Sequence, residues 1–383
     1  MSDPKAAGAA LAALLLLCPL PAAAQATPVT LTVRILDLPF KAQAMRGPGS
    51  EVALAVATSG LIPLARPKPA SADPKAQRSS DAASEPDPAP IAVVWGEGGG
   101  AVLGLADGAV RATLVGAEAI EGLALAETPR GALPGSHRAL SGGLSAYLSG
   151  PARAGGASGL TVRERRPVAV TAEPKAVPVA SETVAPGPDL VFAPRRPRIA
   201  RIDGRAVILA VAAGADGTSA LALLGKDAEG RWSVAGRSAP QAGAGPQGAP
   251  LAPAAFADLS GKGRPEIAAV RAPDGTGTLQ LWTVAQDGLR LAAEAPGYAA
   301  AAPGGAELAA VVEAGSGGAE LALPTLDRGS LALLSLHDGI RERARAALPS
   351  PAALGVAVLG RGAGARILVG LSDGRIAVAE PGP

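Results

Sequence analysis

At 383 residues the chain has room for one large or two modest domains with a sizeable core. Its 50 glycines and 36 prolines exclude a mainly helical protein, and with aromatics at 2% any core must be built from Ala, Leu and Val. Lysine plus arginine (35) nearly balance aspartate plus glutamate (33) with no basic block, so strong binding to nucleic acid or an anionic membrane is not implied.

In chain order, residues 1–26 read as a secretory signal peptide. Lys5 gives a short positive region, "AAGAALAALLLLC" an apolar run, and "AAAQA" the small residues for cleavage after Ala26. Pro19 and Pro21 interrupt that run, so a membrane anchor of roughly 20 apolar residues is disfavoured and no membrane span is expected after cleavage. Cys18, the only cysteine, follows Leu17 rather than the small residue that lipidation wants; removal of the signal leaves a chain without thiol or disulfide. Residues 27–63 form an N-terminal strand segment with two strand-like runs, "VTLTVRILDL" and "EVALAVATSGLI", either an added pair or part of the larger fold. Residues 64–90 are rich in Pro, Ser and Ala with little to bury, and read as a disordered linker. From Ile91 to the end at 383, short apolar runs alternate with Gly, Asp and Pro turns.

That last region repeats. "DGTSALALL" at Asp216 recurs as "DGTGTLQLW" at Asp274 and, more weakly, as "DRGSLALL" at Asp327, a spacing of roughly 50–60 residues. Each copy follows an apolar run ("RAVILAV", "PEIAAV", "AELAAVV") and precedes a Gly turn with an alternating strand ("AEGRWSV", "QDGLRLA", "HDGIRER"). "VLGLADGAVRA" from Val102 and "LVGLSDGRIAV" from Leu368 match near the two ends, as first and last units of a closed ring would. The pattern predicts an all-β fold, a β-propeller of six or seven blades of short antiparallel strands over residues 91–383. A β-sandwich also gives short strands and turns but needs no fixed period.

"FADLSGKGRPEIAAVRAPDGTGTLQLW" (256–282) resembles the FG-GAP/VCBS repeat of bacterial β-propellers. Together with "YLSGPARAGG", "DLVFAPRRPRIARIDG" and "ARAALPSP…ILVGLSDGRIAV", it is similar to secreted proteobacterial VCBS-repeat proteins over roughly residues 133–380. The resemblance implies an exported propeller, periplasmic or extracellular, and no catalytic activity. In the family's calcium-binding loop the first, third, fifth and ninth places carry acids or amides. Here they hold Asp258, Ser260, Lys262 and Glu266, and the Lys262 ammonium repels a dication. A structural turn is expected, with Asp258 capping backbone amides and Gly261 and Gly263 at positive φ. The loop shrinks to Asp203-Gly204 in the preceding unit, and in the following one Glu307 alone remains.

Catalytic types are scarce. His137 and His337 each lie beside a turn and read as surface-turn histidines rather than as a base or ligand; asparagine is absent, and there is no nucleophile elbow, P-loop or paired-histidine motif. "WGEGGGA" from Trp95 reads as a hairpin rather than a dinucleotide loop, Trp232 and Trp282 as packing residues, and "PRRPR" (194–198) as a solvated turn before a strand. No catalytic, cofactor-binding or metal site is assigned and no cofactor is expected. The function expected is a monomeric, non-catalytic binding or scaffold module for a protein or envelope polymer. The rival is a periplasmic hydrolase or lyase with carboxylates gathered at the propeller channel. Titratable side chains from several blades converging in one pocket would favour that rival, and an alanine-lined channel the scaffold.

Overall fold

The computed structural model describes residues 30–59, 90–166, 178–243, 249–273, 275–285, 288–313 and 318–382. The signal-peptide expectation lies outside these residues, as does the linker except for Pro90.

The elements run β1 (Leu31–Leu36), β2 (Ala44–Arg46), α1 (Glu51–Thr58), β3 (Ala92–Gly96), β4 (Gly99–Ala106), β5 (Ala109–Val115) and α2 (Ala117–Ala124). Next come β6 (Ala139–Ser141), β7 (Leu144–Pro151), β8 (Ala157–Arg165), β9 (Val179–Val184), β10 (Leu190–Phe192), β11 (Arg198–Ile202), β12 (Arg205–Gly214), β13 (Thr218–Lys226), β14 (Trp232–Arg237) and β15 (Gln241–Ala242). The chain ends with β16 (Ala252–Ala257), β17 (Glu266–Arg271), β18 (Thr278–Ala285), β19 (Gly288–Ala295), β20 (Ala310–Glu313), β21 (Ala319–Pro324), β22 (Ser330–Ser335), β23 (Arg341–Ala347), β24 (Ala352–Leu359), β25 (Arg366–Leu371) and β26 (Ile376–Pro381).

These strands form antiparallel meanders. Four sheets hold four strands each, β2–β5, β16–β19, β20–β23 and β24–β25–β26–β1. A fifth holds ten, because β10 pairs both β8 and β12 and so joins the meander β6–β9 to the meander β11–β14. Neighbouring meanders pack face to face. One apolar cluster lies between β6–β9 and β11–β14, and the next between β11–β14 and β16–β19. Further clusters join β16–β19 to β20–β23, β20–β23 to the β24–β1 sheet, and that sheet to β2–β5. Beside β2–β5 the packing partner is helical: α1 and α2 cover β3 and β4 through Val52, Val56 and Ile120. Radial meanders packed in a circle are a β-propeller.

Its closure uses the N-terminal segment. β1 pairs with β26 from Leu31↔Pro381 to Leu36↔Ile376, so the outer strand of the last sheet comes from the start of the chain. β2 is the inner strand of the first sheet, paired with β3. Residues 31–46 therefore belong to the ring. The second run in this segment is not a strand: "EVALAVAT" is helix α1. Ser50 Oγ accepts from Ala53 N at 3.2 Å at its N-terminus, and Val52, Ala53 and Val56 bury one face. A cap residue and an i, i+4 apolar face outweigh the β propensity of two valines.

The sequence repeats map onto equivalent strands. "DGTSALALL", "DGTGTLQLW" and "DRGSLALL" lead into or contain β13, β18 and β22, the third strand of three successive meanders. Each is bulged against its outer neighbour at one place: Leu223/Leu224, Leu281/Trp282 and Leu333/Leu334. A bulge adds twist, which an outer blade strand needs. Two alignments drawn from the sequence do not hold. The run "AELAAVV" leads into the inner strand β20, whereas "RAVILAV" and "PEIAAV" are second strands. "VLGLADGAVRA" joins third and fourth strands (β4, β5) and "LVGLSDGRIAV" second and third (β25, β26), so their likeness reflects Asp-Gly turn chemistry and not equivalence.

Candidate functional site

The inner strands β2, β11, β16, β20 and β24, with the segment before β6, surround a central channel of about 1160 Å³. Its walls are largely Ala, Gly and Pro, for example Ala252, Ala301, Gly305 and Ala353. Into it project Arg46, Arg195, Arg196, Arg198 and Arg361, together with Glu127, Glu307, Glu313 and His137.

Arg46, at the end of β2, lies over the Trp95 ring at 5.5 Å and donates from Nε to Glu127 Oε2 at 2.8 Å. Glu127, on the 3-10 turn after α2, keeps only 3% of its side-chain surface. The Arg46 Nη2 to His137 Nε2 distance is 3.3 Å. A guanidinium can only donate, so Nε2 accepts and the histidine proton sits on Nδ1. That nitrogen faces Glu127 Oε2 at 3.3 Å, near in distance but without hydrogen-bond alignment. Burial foremost, then the Arg46 charge, lowers the His137 pKa; Glu127 opposes this, Arg196 adds to it and Glu307 opposes it. The imidazole is held neutral and its lone pair is already used.

Arg196 and Arg198 meet Glu307, from the loop before β20, at 3.8 and 3.4 Å. Arg196 also donates to Arg138 O and Gly49 O, and Arg198 to Pro253 O, which ties β11 to three neighbouring segments. Glu307 keeps 36% of its side-chain surface open to the channel although protein surrounds it. Burial pushes its pKa up, but the charges around it, Arg198 and Arg196 foremost, outweigh that and hold it below the ordinary glutamate value. At one end of the channel Arg361 meets Glu313 at 2.6 Å.

The residues singled out in the sequence are thus dispersed. Asp258 accepts from Lys262 N at 3.0 Å and from Gly263 N at 2.8 Å, and Gly261 and Gly263 have φ of 72° and 76°. Both carboxylate oxygens therefore serve the turn between β16 and β17. Glu266 lies behind it, accepting from Ser260 N at 2.9 Å. Glu307 was aligned with this loop but sits before an inner strand, in the channel. His337 stays at the β22–β23 turn, its Nδ1 2.5 Å from Ser260 O. Trp282 and Trp232 are buried at 2% and 7% exposure, packed between meanders. "WGEGGGA" is the β3–β4 hairpin, with Gly96 opposite Gly99 and Gly98 at φ 87°.

Two expectations are corrected. His137 is not a surface-turn residue but a channel residue clasped by Arg46. "PRRPR" is not solvated: Arg196 and Arg198 keep 23% and 21% of their side-chain surface. The missed signal is Pro197, which leaves arginines on both sides of a residue that cannot donate, at the entry to an inner strand. Among the described residues no group of three or more His, Cys, Asp or Glu could hold a metal ion, and no helix is long and apolar enough to cross a membrane.

No protein-family model matches the chain, and no curated relative does. Among solved structures it is similar to BBS1N in complex with ARL6DN, at TM-score 0.35 and 10% identity over 76% of this chain and 74% of that one. The C-terminal WD40 domain of Sif2 gives TM-score 0.36 and 10% identity over 76% and 92%. A GH43_1 enzyme from Xanthomonas citri gives 0.26 and 14% over 58% and 84%. At such scores the sheet order, and not the likeness, carries the fold.

Proposed function

We propose that the protein is a non-catalytic binding propeller, exported by cleavage after Ala26 to the periplasm or cell exterior, where it acts as a monomer on a macromolecular partner. The ring has six blades in this reading, with β6–β9 and β11–β14 as two blades joined by β10. The Asp258 loop and the Asp-Gly-Thr repeats support placing it with the FG-GAP/VCBS propellers.

One observation carries the non-catalytic reading: each of the three channel carboxylates lies within 4 Å of an arginine. Glu127 lies 2.8 Å from Arg46, Glu307 3.4 Å from Arg198 and Glu313 2.6 Å from Arg361. A hydrolase of the rival kind needs one carboxyl with a raised pKa as acid and one accessible carboxylate as base or nucleophile. Here Glu307 is shifted the wrong way for an acid. Titratable groups from several sheets do converge, which is the arrangement the rival requires, but each carboxylate among them faces an arginine. Affinity capture from envelope extracts by the mature protein, beside a panel of glycosidase, esterase and lyase substrates, tests the reading. A specific partner without turnover is expected; turnover abolished by Glu307→Gln, with no partner recovered, would overturn it.

A further inference from the structure

Resting on the binding-propeller reading, the geometry points to the kind of partner: we infer that the channel docks an acidic peptide segment of another protein, its carboxylates pairing with Arg196 and Arg198. Charge comes first. Five arginines face three glutamates in the channel, while burial and then Arg46 favour the neutral form of His137, so the cavity carries an excess of positive charge in a chain that is nearly balanced overall. A concave, partly desolvated cavity of one sign concentrates ligands of the other.

Unused donor capacity comes second. The Glu307 carboxylate lies 3.4 and 3.8 Å from Arg198 and Arg196, beyond the roughly 2.7–2.9 Å of a charge-assisted hydrogen bond. Two guanidinium forks so placed can take an incoming carboxylate without giving up their backbone acceptors at Arg138, Gly49 and Pro253. The low Glu307 pKa reports the same positive field from inside the site.

Wall chemistry and size choose the class of partner. Among the described lining residues there is no Phe, Tyr or Trp, so the channel lacks the aromatic platform on which sugars stack. It offers instead small side chains between which an extended backbone can lie. Its 1160 Å³ exceeds the roughly 300–1,000 Å³ typical of small-molecule pockets, which suits a peptide over a single metabolite.

The test titrates the mature protein into fluorescein-labelled oligoglutamate, with oligoglutamine and polygalacturonate as controls. Expected are saturable oligoglutamate binding that weakens with salt, none to oligoglutamine, and weaker binding to polygalacturonate. Arg196→Gln with Arg198→Gln should weaken binding at least about tenfold, equivalent to about 1.4 kcal/mol. Lys226→Gln, on the outside of β13, should leave it unchanged. The charge-conserving Arg196→Lys, Arg198→Lys variant should fall between, and unchanged circular dichroism is required of each variant. No saturable binding, equal binding by the double glutamine variant, or preference for polygalacturonate would overturn the proposal. If that variant still captured the envelope partner of the wild type, the binding-propeller reading would survive and the channel proposal would fall.

Discussion

His137 shows how one side chain here depends on four others. It is flanked by Arg46, Glu127, Arg196 and Glu307, with burial and Arg46 acting to keep it neutral. Its folded pKa lies below its ordinary value of 6.5. Between those two values only the unfolded chain binds the proton, so the contribution to stability is complete above about 6.5 and declines as the pH falls through the lowered value. Glu307 acts in the same sense further down: its carboxylate stabilises above the ordinary 4.5, and the benefit disappears as pH falls through its depressed pKa. The melting temperature should therefore drop as the pH falls below about 6.5, and His137→Gln should flatten the upper part of that decline. An identical slope in the variant would show that other groups set it. Asp258 is the second case at this scale. Replacing it with Ala leaves two turn amides without their acceptor and should cost about 1 kcal/mol, measured by urea unfolding. Calcium should not raise the melting temperature of the native chain, since both Asp258 oxygens are engaged and Lys262 stands in the loop. The turn role of Asp258 was legible because it depends on neighbours in sequence. The place of His137 was not, since its partners come from residues 46, 127, 196 and 307.

At the scale of elements, the repeated strands were legible because their chemistry is local: Asp-Gly turns and alternating apolar residues declare a hairpin wherever it sits in the fold. The shared bulge in β13, β18 and β22 gives those repeats a structural meaning that spelling alone could not. Helix α1 was misread because valine spacing in "EVALAVAT" fits either period, and the deciding residue, Ser50, lies outside the run. Ser50→Ala should cost about 1 kcal/mol by loss of the Ala53 N acceptor, visible in urea unfolding. β1 offers a larger test. Leu31 and Val33 pack against the cluster between the last two sheets, so a chain starting at Asp37 loses about 3 kcal/mol of apolar burial beyond the ladder itself. That variant should melt roughly 5–10 °C lower and associate through the bared edge of β26, seen as concentration-dependent light scattering. A monomer with the native melting temperature would mean that β1 is dispensable.

The whole molecule is a ring whose core uses small residues. Fully buried Ala92, Ala146, Ala268, Ala322 and Ala377 recur in its sheets, and such small side chains let meanders approach closely. Ala268→Leu should therefore destabilise by overpacking, by about 1–3 kcal/mol, without altering far-UV circular dichroism. Closure was anticipated from two similar end units and is achieved by another route. The pairing of β1 with β26 brings Arg34 and Glu380 to 3.0 Å although 346 residues separate them. This has a consequence for the order of assembly. β1 has no partner until β26, some 346 residues further along, is in place, so an open strand edge persists until the ring closes. The cost of bringing such distant ends together grows only as the logarithm of the span, yet it falls in one late step. Folding should thus resemble fastening a belt: most strand pairs form as local hairpins, and the buckle sets the rate. A circular permutant that joins residues 382 and 30 and opens the chain in the β6–β7 turn converts the buckle into a neighbouring hairpin, and should refold faster at unchanged stability.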